Sequence, residues 1–523
     1  MPTPVDPINL EQHLKGYNNF QTNYLITGFK EGFKISFKGN PPCLKPKNLK
    51  SAYDHPEVIE KKIESELLNN RIEGPFDKPP FQLFAMSPIG VVEKKEKGKY
   101  RMIQHLSYPR GNSVNDGIED ANKTVSYQNI DTAMQLLKDV GKGAFFAKTD
   151  VSNAFRIIPL HPDQYYLFGF HFRNKYYYDK CLPMGCSASC QIFESLSKAI
   201  HWIANTNLDI NHMAHLLDDF LIIEKSEKVC KDKLDAFWKL CADIGVPLSI
   251  EKTFLPSQKM TFLGYELDSL EMSIKLPSDK IDKCKLEINK FLSKQKATLK
   301  EIQSLIGLLN FACGAVVPGR TFLRRLISLT IGKSNPRYKI RITQESKKDL
   351  IIWKTFLEHF NGKSIMLLDR WNDEQKYRME TDASGSKGYS AIFQDFWFYG
   401  AWNKEWLGQS IELKELYPIW LGLDMWKEVL ANHCIQFYTD NEALVYIINQ
   451  KTSKNKLIMW LLRKIVLICL QFNILFQAFH LSSKSNFQAD RLSRFQVDKF
   501  KQSAPWARPE PLSIPPLLSI PKL

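Results

Sequence analysis

Seven carboxylates stand out for the company they keep. Asp150 closes the run AFFAKTD, and Asp218 and Asp219 lie together inside HLLDDFLII. Farther on, Asp382, Glu415, Asp440 and Asp490 sit in METDAS, IELKELYPIW, YTDNE and FQADRLS. Each Asp of the first set follows or interrupts an apolar run that reads as a strand. A carboxylate placed that way is costly to bury unless it binds a cation. Two such sets in one chain imply two magnesium sites, and so two phosphoryl-transfer or hydrolysis reactions on one polymer. Paired Mg²⁺ ions about 3.5–4 Å apart activate the attacking oxygen and stabilise the leaving one. That chemistry requires acids from distant positions to meet.

The elements that must bring them together can be read in outline. TDVSNAF places Asp150 at a strand end before a turn. LLDDFLII reads as a tight hairpin that exposes Asp218 and Asp219, and the interval from 150 to 218 leaves room for a helical crossover. A DD pair alone is weak evidence, because surface turns often carry one. Upstream, residues 56–73 predict a helix with Pro56 at its start and Val58, Ile59, Ile63, Leu67 and Leu68 on one face. IGVVEKK and KYRMIQHL flank EKG as a hairpin with a basic tip. SASCQIFESLSKAIHWIAN and KVCKDKLDAFWKLCADIG read as helices, the second stopped by Gly245. MTFLGYEL reads as one short strand. SDKIDKCKLEINKFLSKQ and TLKEIQSLIGLLNFACGAV are amphipathic helices, with Thr298 and Glu301 as a capping box. Residues 340–370 look like a connector ending at Asn361-Gly362. From 376 a second α/β unit follows, with strands YRMETDAS, YSAIF, FWFYGAW, CIQFYTD and FNILFQAF and a helix from about Lys414 to Leu430. The proline-rich tail from Ser503 is expected to be extended or disordered.

The chain of 523 residues is long enough for several domains, and 44% hydrophobic with 24% charged residues is a globular composition. Its net charge of +15 suits a polyanionic substrate around acidic sites, though a basic protein without such a ligand fits the charge equally well. Ten scattered cysteines form no CxxC pair, which argues against a zinc finger or thioredoxin motif and for reduced, mostly buried thiols. MPTPVDPINLEQHL has neither a basic nor an apolar leader region, so no secretory signal is expected. The stretch Leu457–Phe479, the most apolar, is interrupted by Arg463, Lys464, Gln471 and Asn473, so a buried helix and strand are expected rather than a membrane span. The expected place is intracellular, with cytoplasm and nucleus both open.

Across roughly residues 55 to 330 the chain resembles a reverse transcriptase. TDVSNAF, LPMGCSASCQIF, LLDDF, GVPLSIEKT and TFLGYEL match that family's motifs in order and spacing. The resemblance implies Asp150 and Asp218 as metal ligands, with Asp219 as the second acid of the pair. It puts Phe155 at the ribose gate, where a ring would clash with a 2′-hydroxyl and favour dNTP, against ordinary core packing as the plain reading. It puts Gly185 where the backbone must approach the nucleotide closely, although a turn glycine after Pro183 is the simpler account. Lys94, or its neighbour Lys95, and Arg101 would lie over the incoming triphosphate. Relatives often have an aromatic residue where this chain has Leu216.

The C-terminal unit resembles ribonuclease H. By that resemblance Asp382, Glu415, Asp440 and Asp490 hold two further Mg²⁺ ions, with Asp382 as the bridging candidate, and His480 shuttles a proton or helps product leave. Asn486 falls in the same loop. Glu412 competes with Glu415 but reads as an exposed first-turn acid.

The implied fold class is α/β (α+β) multidomain: a right-hand polymerase of fingers, palm and thumb followed by a ribonuclease H-like α/β domain. Its expected divisions are 1–50 N-terminal extension, 51–275 fingers and palm, 276–370 thumb and connection, 371–500 ribonuclease H-like domain and 501–523 Pro-rich tail. Two Mg²⁺ per active site are expected, with Mn²⁺ as a substitute. The expected partners are an RNA template, a DNA primer, the RNA–DNA hybrid and dNTP, with no membrane. LEQHLKGYNNFQTNYLITGFKEGFKISFKG, QHLSYPRGNSVNDGI and LPMGCSASC resemble DIRS-type retrotransposons. Those elements use a tyrosine recombinase, which would here be separately encoded or lost. Two other readings stand beside this one: a domesticated or inactive nucleic-acid-binding relic, which intact acids argue against, and a viral RNA-dependent RNA polymerase, which Phe155 and the ribonuclease H-like unit argue against.

Overall fold

The computed structural model describes residues 1–93, 98–120, 123–359, 363–364, 377–431, 433–472 and 474–516. Two compact units divide the chain, Met1–Leu263 with Leu267–Glu271, and Gly264–Glu266 with Met272–Leu523.

The first unit is built on a four-stranded antiparallel sheet in the order Met213–Leu216, Asp219–Glu224, Phe145–Asp150, Phe254–Ser257. Side chains alternate across a strand, so Phe220 and Ile222 enter the same core. There they meet Ile192, Phe193, Leu196 and Ile200 of the helix Ser189–Leu208 and Leu234, Phe237 and Cys241 of the helix Glu227–Asp243. The second helix starts where Ser226 accepts from the Val229 N–H, an N-cap that satisfies an otherwise orphaned donor. It is followed by Gly245 at φ 76°, a left-handed position that stops the helix. The helices Pro7–His13 and Asn19–Glu31 belong to this unit, with Leu10, Leu25, Phe29 and Phe33 in its core.

A smaller core lies under the helix Pro56–Leu68. Ile59 and Ile63 there cover residues of a three-stranded sheet, ordered Ile72–Phe76, Lys175–Asp179, Gly169–Phe172, and of the hairpin Ile89–Glu93 with Tyr100–Gln104. The hairpin's basic tip, Lys94 and Lys95 included, lies outside the described residues. MTFLGYEL is two strands rather than one, Lys259–Phe262 and Tyr265–Asp268. Leu263 at φ 50° and Gly264 at φ 81° interrupt it, because left-handed backbone cannot continue a strand.

In the second unit, the helices Ser278–Ser293 and Leu299–Ala312 stand as the periodicity predicts. The capping box forms: the Glu301 carboxylate accepts from the Thr298 N–H at 2.7 Å, and the Thr298 hydroxyl accepts from the Glu301 N–H at 3.3 Å. The stretch expected as a connector contains the helix Gln344–His359, with Leu350, Trp353, Phe356 and Leu357 buried. Its apolar spacing is helical, but the polar opening QESKKD hides it. Asn361-Gly362, expected to end the connector, lies outside the described residues.

A five-stranded sheet follows, ordered Phe396–Ala401, Gly388–Phe393, Arg378–Ala383, Cys434–Thr439, Leu475–His480. The first three strands are antiparallel and the last two join in parallel. Gly388–Phe393 is buried on both faces. Tyr389, Ala391 and Phe393 join the core under the helices Ile411–Leu430 and Lys456–Gln471, while Ile392 joins Ala489, Leu492 and Phe500 on the other side.

The described part of the proline-rich tail, as far as residue 516, is extended and docked. Arg508 N–H bonds the Asp395 carbonyl at 3.0 Å, and Leu512 N–H bonds the Trp397 carbonyl at 2.8 Å. Leu512 and Ile514 pack on the sheet's core. The cysteines are free thiols and mostly buried. Among the described residues, no helix is long and apolar enough to cross a membrane.

Candidate active sites

In the first unit, local geometry drives three acids together. Asp150 ends its strand directly opposite Asp219. Leu217 turns at φ 52°, so Leu216 pairs with Asp219 across a two-residue turn and Asp218 stands at its tip. The Asp218 carbonyl accepts from the Val151 N–H at 2.9 Å, which locks the turn against the end of the Asp150 strand. Burial pushes the Asp218 carboxyl up to about 6, and the charges of Asp150 and Asp219 add to the rise. Asp219 is raised too, first by burial and then by Asp150, with Lys148 opposing.

Cations already face these acids. Lys252 Nζ donates to Asp150 Oδ1 at 2.8 Å, and Lys148 Nζ lies 3.8 Å from Asp219 Oδ1. Burial lowers the Lys252 ammonium, but its bond to Asp150 and the neighbouring acids together lift it above the ordinary lysine value. Sequence reasoning quoted Lys252 inside GVPLSIEKT without giving it a role, because the sequence does not show that this phrase returns to Asp150.

Phe155 lies in the short helical turn Ala154–Ile157, entered through Asn153 at φ 55°, and its ring meets Phe193 edge-on at 5.8 Å. Gly185 has φ 104°, and an added Cβ would stand 2.9 Å from the Gln104 carbonyl oxygen. Both facts require glycine, and the close approach seen is to a neighbouring strand. Arg101 is exposed on the strand Tyr100–Gln104. Lys94 lies outside the described residues.

In the second unit, Asp382 stands on the central strand Arg378–Ala383, and Asp440 follows the parallel strand Cys434–Thr439. Glu415 faces inward from the helix Ile411–Leu430 and is 6% exposed, while Glu412 is half-buried, not exposed as its first-turn position suggests. The Thr439 hydroxyl donates to Glu415 at 2.7 Å and the Asn441 amide at 3.5 Å. Ser493 donates to Asp382, Ser483 to Asp440 at 2.8 Å, and Arg494 to Asp490 at 2.6 Å.

Asp382 and Glu415 feel the acids around them. Burial pushes Asp382 up to about 6, and Asp440 and Asp490 raise it further. Burial pushes Glu415 up to about 7, with Asp440 and Asp382 adding. Asn486 is fully buried and its amide donates to the Thr381 carbonyl at 3.1 Å, beside Asp382. His480 is exposed at the end of its strand, in register with Thr439. The serine, threonine and asparagine donors were missed from sequence except Asn486, since such residues carry no signal until folding places them against an acid.

Both acid sets offer hard oxygen donors, which suit Mg²⁺. Lys252 already puts a cation against Asp150. Among the described residues no three acidic, histidine or cysteine groups form a closed ligand cage; Lys252, Lys148 and Arg494 compensate the charges instead.

Residues 92–267 match the family described as reverse transcriptase (RNA-dependent DNA polymerase), and that stretch holds Asp150, Phe155, Gly185, Asp218 and Asp219. That stretch is thus similar to a reverse transcriptase domain. It is 27% identical to the Pro-Pol polyprotein of Feline foamy virus over 302 residues, covering 58% of this chain and 23% of that polyprotein. It is 24% identical to the putative enzymatic polyprotein of Cassava vein mosaic virus over 435 residues, covering 78% of this chain and 60% of that one. The chain spans about a quarter of the length of the foamy virus polyproteins it matches.

Among solved structures, the foamy viral protease-reverse transcriptase dRH in complex with double-stranded DNA superposes with a TM-score of 0.52 at 19% identity, covering 90% of this chain and 81% of that one. The foamy viral protease-reverse transcriptase in complex with RNA/DNA hybrid gives 0.50 at 16% identity, covering 90% and 62%. The fold class is therefore a mixed helix-and-sheet polymerase fold.

Proposed function

We propose that this chain is an RNA-directed DNA polymerase with ribonuclease H activity, which copies a retroelement RNA into DNA and degrades the RNA of the hybrid. The observation that carries the reading is the meeting of Asp150, Asp218 and Asp219 at one hairpin within the stretch that matches the reverse transcriptase family. Asp150 and Asp218, with Asp219 beside them, would hold two Mg²⁺ ions, or Mn²⁺ in their place. Asp382, Glu415, Asp440 and Asp490 would hold two more. Bound metal supplies an activated nucleophile and charge stabilisation at the leaving oxygen.

The chain's own residues do the rest. Phe155 screens the sugar, Arg101 and Lys94 meet the triphosphate, Gly185 shapes the nucleotide loop, and His480 assists proton transfer or product release. The division follows the resemblance: an N-terminal extension to residue 50, fingers and palm over 51–275, thumb and connection over 276–370, a ribonuclease H-like domain over 371–500 and a tail from 501. The substrates are a primed RNA template, dNTP and the RNA–DNA hybrid. The phrases QHLSYPRGNSVNDGI and LPMGCSASC support a DIRS-type origin. The working place is intracellular.

The test is primer extension on an RNA template with Mg²⁺, together with hybrid cleavage. The natural chain is expected to do both. Asp218→Asn removes extension and keeps cleavage, and Asp382→Asn does the reverse. Synthesis undiminished in Asp218→Asn defeats the reading. Hybrid binding without either reaction by the natural chain identifies an inactive relic.

A further inference from the structure

Arg156 follows Phe155 and is buried, with its whole guanidinium engaged. Nε and Nη2 lie 2.8 and 2.7 Å from Glu66 Oε2, and Nη1 lies 2.6 Å from Asp179 Oδ1. Nη1 also donates to the carbonyls of Cys181 and Leu182 at 3.0 and 3.4 Å, and Nη2 to that of Arg71 at 3.4 Å. Glu66 and Asp179 are 4% and 5% exposed. One side chain thus joins the turn behind Phe155, the helix Pro56–Leu68, the end of the strand Lys175–Asp179 and the start of the loop LPMGCS.

Burying three charges is a poor route to stability, since an apolar cluster of the same volume does as well or better. What the arrangement supplies is geometry. A guanidinium offers five donors in a fixed fork, and no other cationic side chain reaches two carboxylates and three carbonyls together.

The loop's other end is held from outside. The Asn115 amide donates to the Gly185 carbonyl at 2.8 Å, and its oxygen accepts from the Ser187 N–H at 2.9 Å. Between the two holds, Gly185 is pressed against the Gln104 carbonyl in a conformation only glycine adopts readily.

We propose that Arg156 and Asn115 are positioning residues that set the shape of the loop 181–187 and through it the affinity for the incoming nucleotide. This rests on the polymerase reading of the first site. Arg156 is coupled to the sugar-screening ring by adjacency, so the loop and Phe155 are placed by one buried anchor.

The experiment compares the full chain with Arg156→Lys and Asn115→Ala by hydrogen exchange of the amides over 182–188, by steady-state incorporation of dNTP on a primed RNA template, and by thermal unfolding. Arg156→Lys keeps the charge and loses the fork. Exchange at the loop is expected to rise about tenfold or more in both variants. The KM for dNTP is expected to rise about tenfold, with kcat changed by less than about threefold, as befits a misplaced contact rather than lost chemistry. Unchanged loop exchange overturns the proposal whatever the activity. So does a loss of kcat with KM constant, in proportion to the folded fraction, which marks a purely structural residue. If Arg156→Lys does not fold, Asn115→Ala, which touches the same loop from its surface side, decides. Faster loop exchange in the variants, beside a natural chain that incorporates no nucleotide, counts against the polymerase reading and not against the loop anchor.

Discussion

Asp150 and Asp219 face each other as cross-strand partners, with Asp218 in the turn beside them and Lys252 bonded to Asp150 at 2.8 Å. Three acids at one sheet end repel one another, and two of them are raised by burial and by their neighbours. The cluster therefore concentrates negative charge that Lys252 and Lys148 offset only in part.

Asp150→Asn separates those two effects. Primer extension is expected to fall by more than about 100-fold, beyond what loss of a supporting contact causes. The thermal midpoint without metal is expected to stay level or rise, because one of three crowded charges is gone while the Ser249 N–H bond to the Asp150 carbonyl is a backbone bond and remains. A lower midpoint in metal-free buffer would show that Asp150 is chiefly a structural acid.

Phe155→Ala tests the sugar screen. The ring packs edge-on against Phe193 and is half-buried, so the substitution opens space at the turn. Discrimination against rNTP is expected to weaken by about tenfold or more, within the range that steric exclusion supplies. Competition between dNTP and rNTP on one template measures it, and an unaltered ratio returns Phe155 to ordinary core packing.

Protonation supplies a third check. Burial lifts Asp218 and Asp382 to about 6 and Glu415 to about 7, while such acids in an unfolded chain titrate near pH 4, roughly. A folded value above the unfolded one favours the protonated fold. The stabilisation these groups contribute is full below about pH 4 and is lost as pH rises through 6 to 7. Metal binding needs the deprotonated acids. The rise in thermal midpoint on adding Mg²⁺ is thus expected to be larger at about pH 8 than at about pH 5.5, read by scanning fluorimetry against EDTA controls. Equal rises at both would mean that these acids do not hold the metal.

Asp349 carries the fourth. It is 1% exposed and bonds Arg325 at 2.7 Å and Arg463 at 3.3 Å, joining the helices Arg324–Thr330, Gln344–His359 and Lys456–Gln471. Burial nevertheless raises its carboxyl above the usual range. Removing one partner of a buried pair leaves the other charge uncompensated, so Asp349→Ala is expected to destabilise the second unit by about 3–5 kcal/mol. Urea unfolding followed by tryptophan fluorescence, with Trp353 on the same helix, measures it. A shift of a few tenths would make the network ornamental.

Local pattern made much of this chain readable. Apolar runs around Asp150 and the Asp218–Asp219 pair announced strands, and Thr298 with Glu301 announced a helix start, because such signals act over a turn or a strand. The helix Gln344–His359 was hidden by its polar opening. The tail is extended, one of the two states its composition allowed, but proline-rich composition says nothing of the strand edge it meets.

Residue types and their order along the chain were enough to nominate both acid sets, because a strand end or a tight turn is specified within a few residues. Folding alone decided which groups face them: Lys252 reaches Asp150, Thr439 reaches Glu415, and Arg156 gathers Glu66 and Asp179. Those meetings depend on how sheets and helices stack over long stretches of chain, and a charge or hydroxyl gains its role only from the neighbours that stacking delivers.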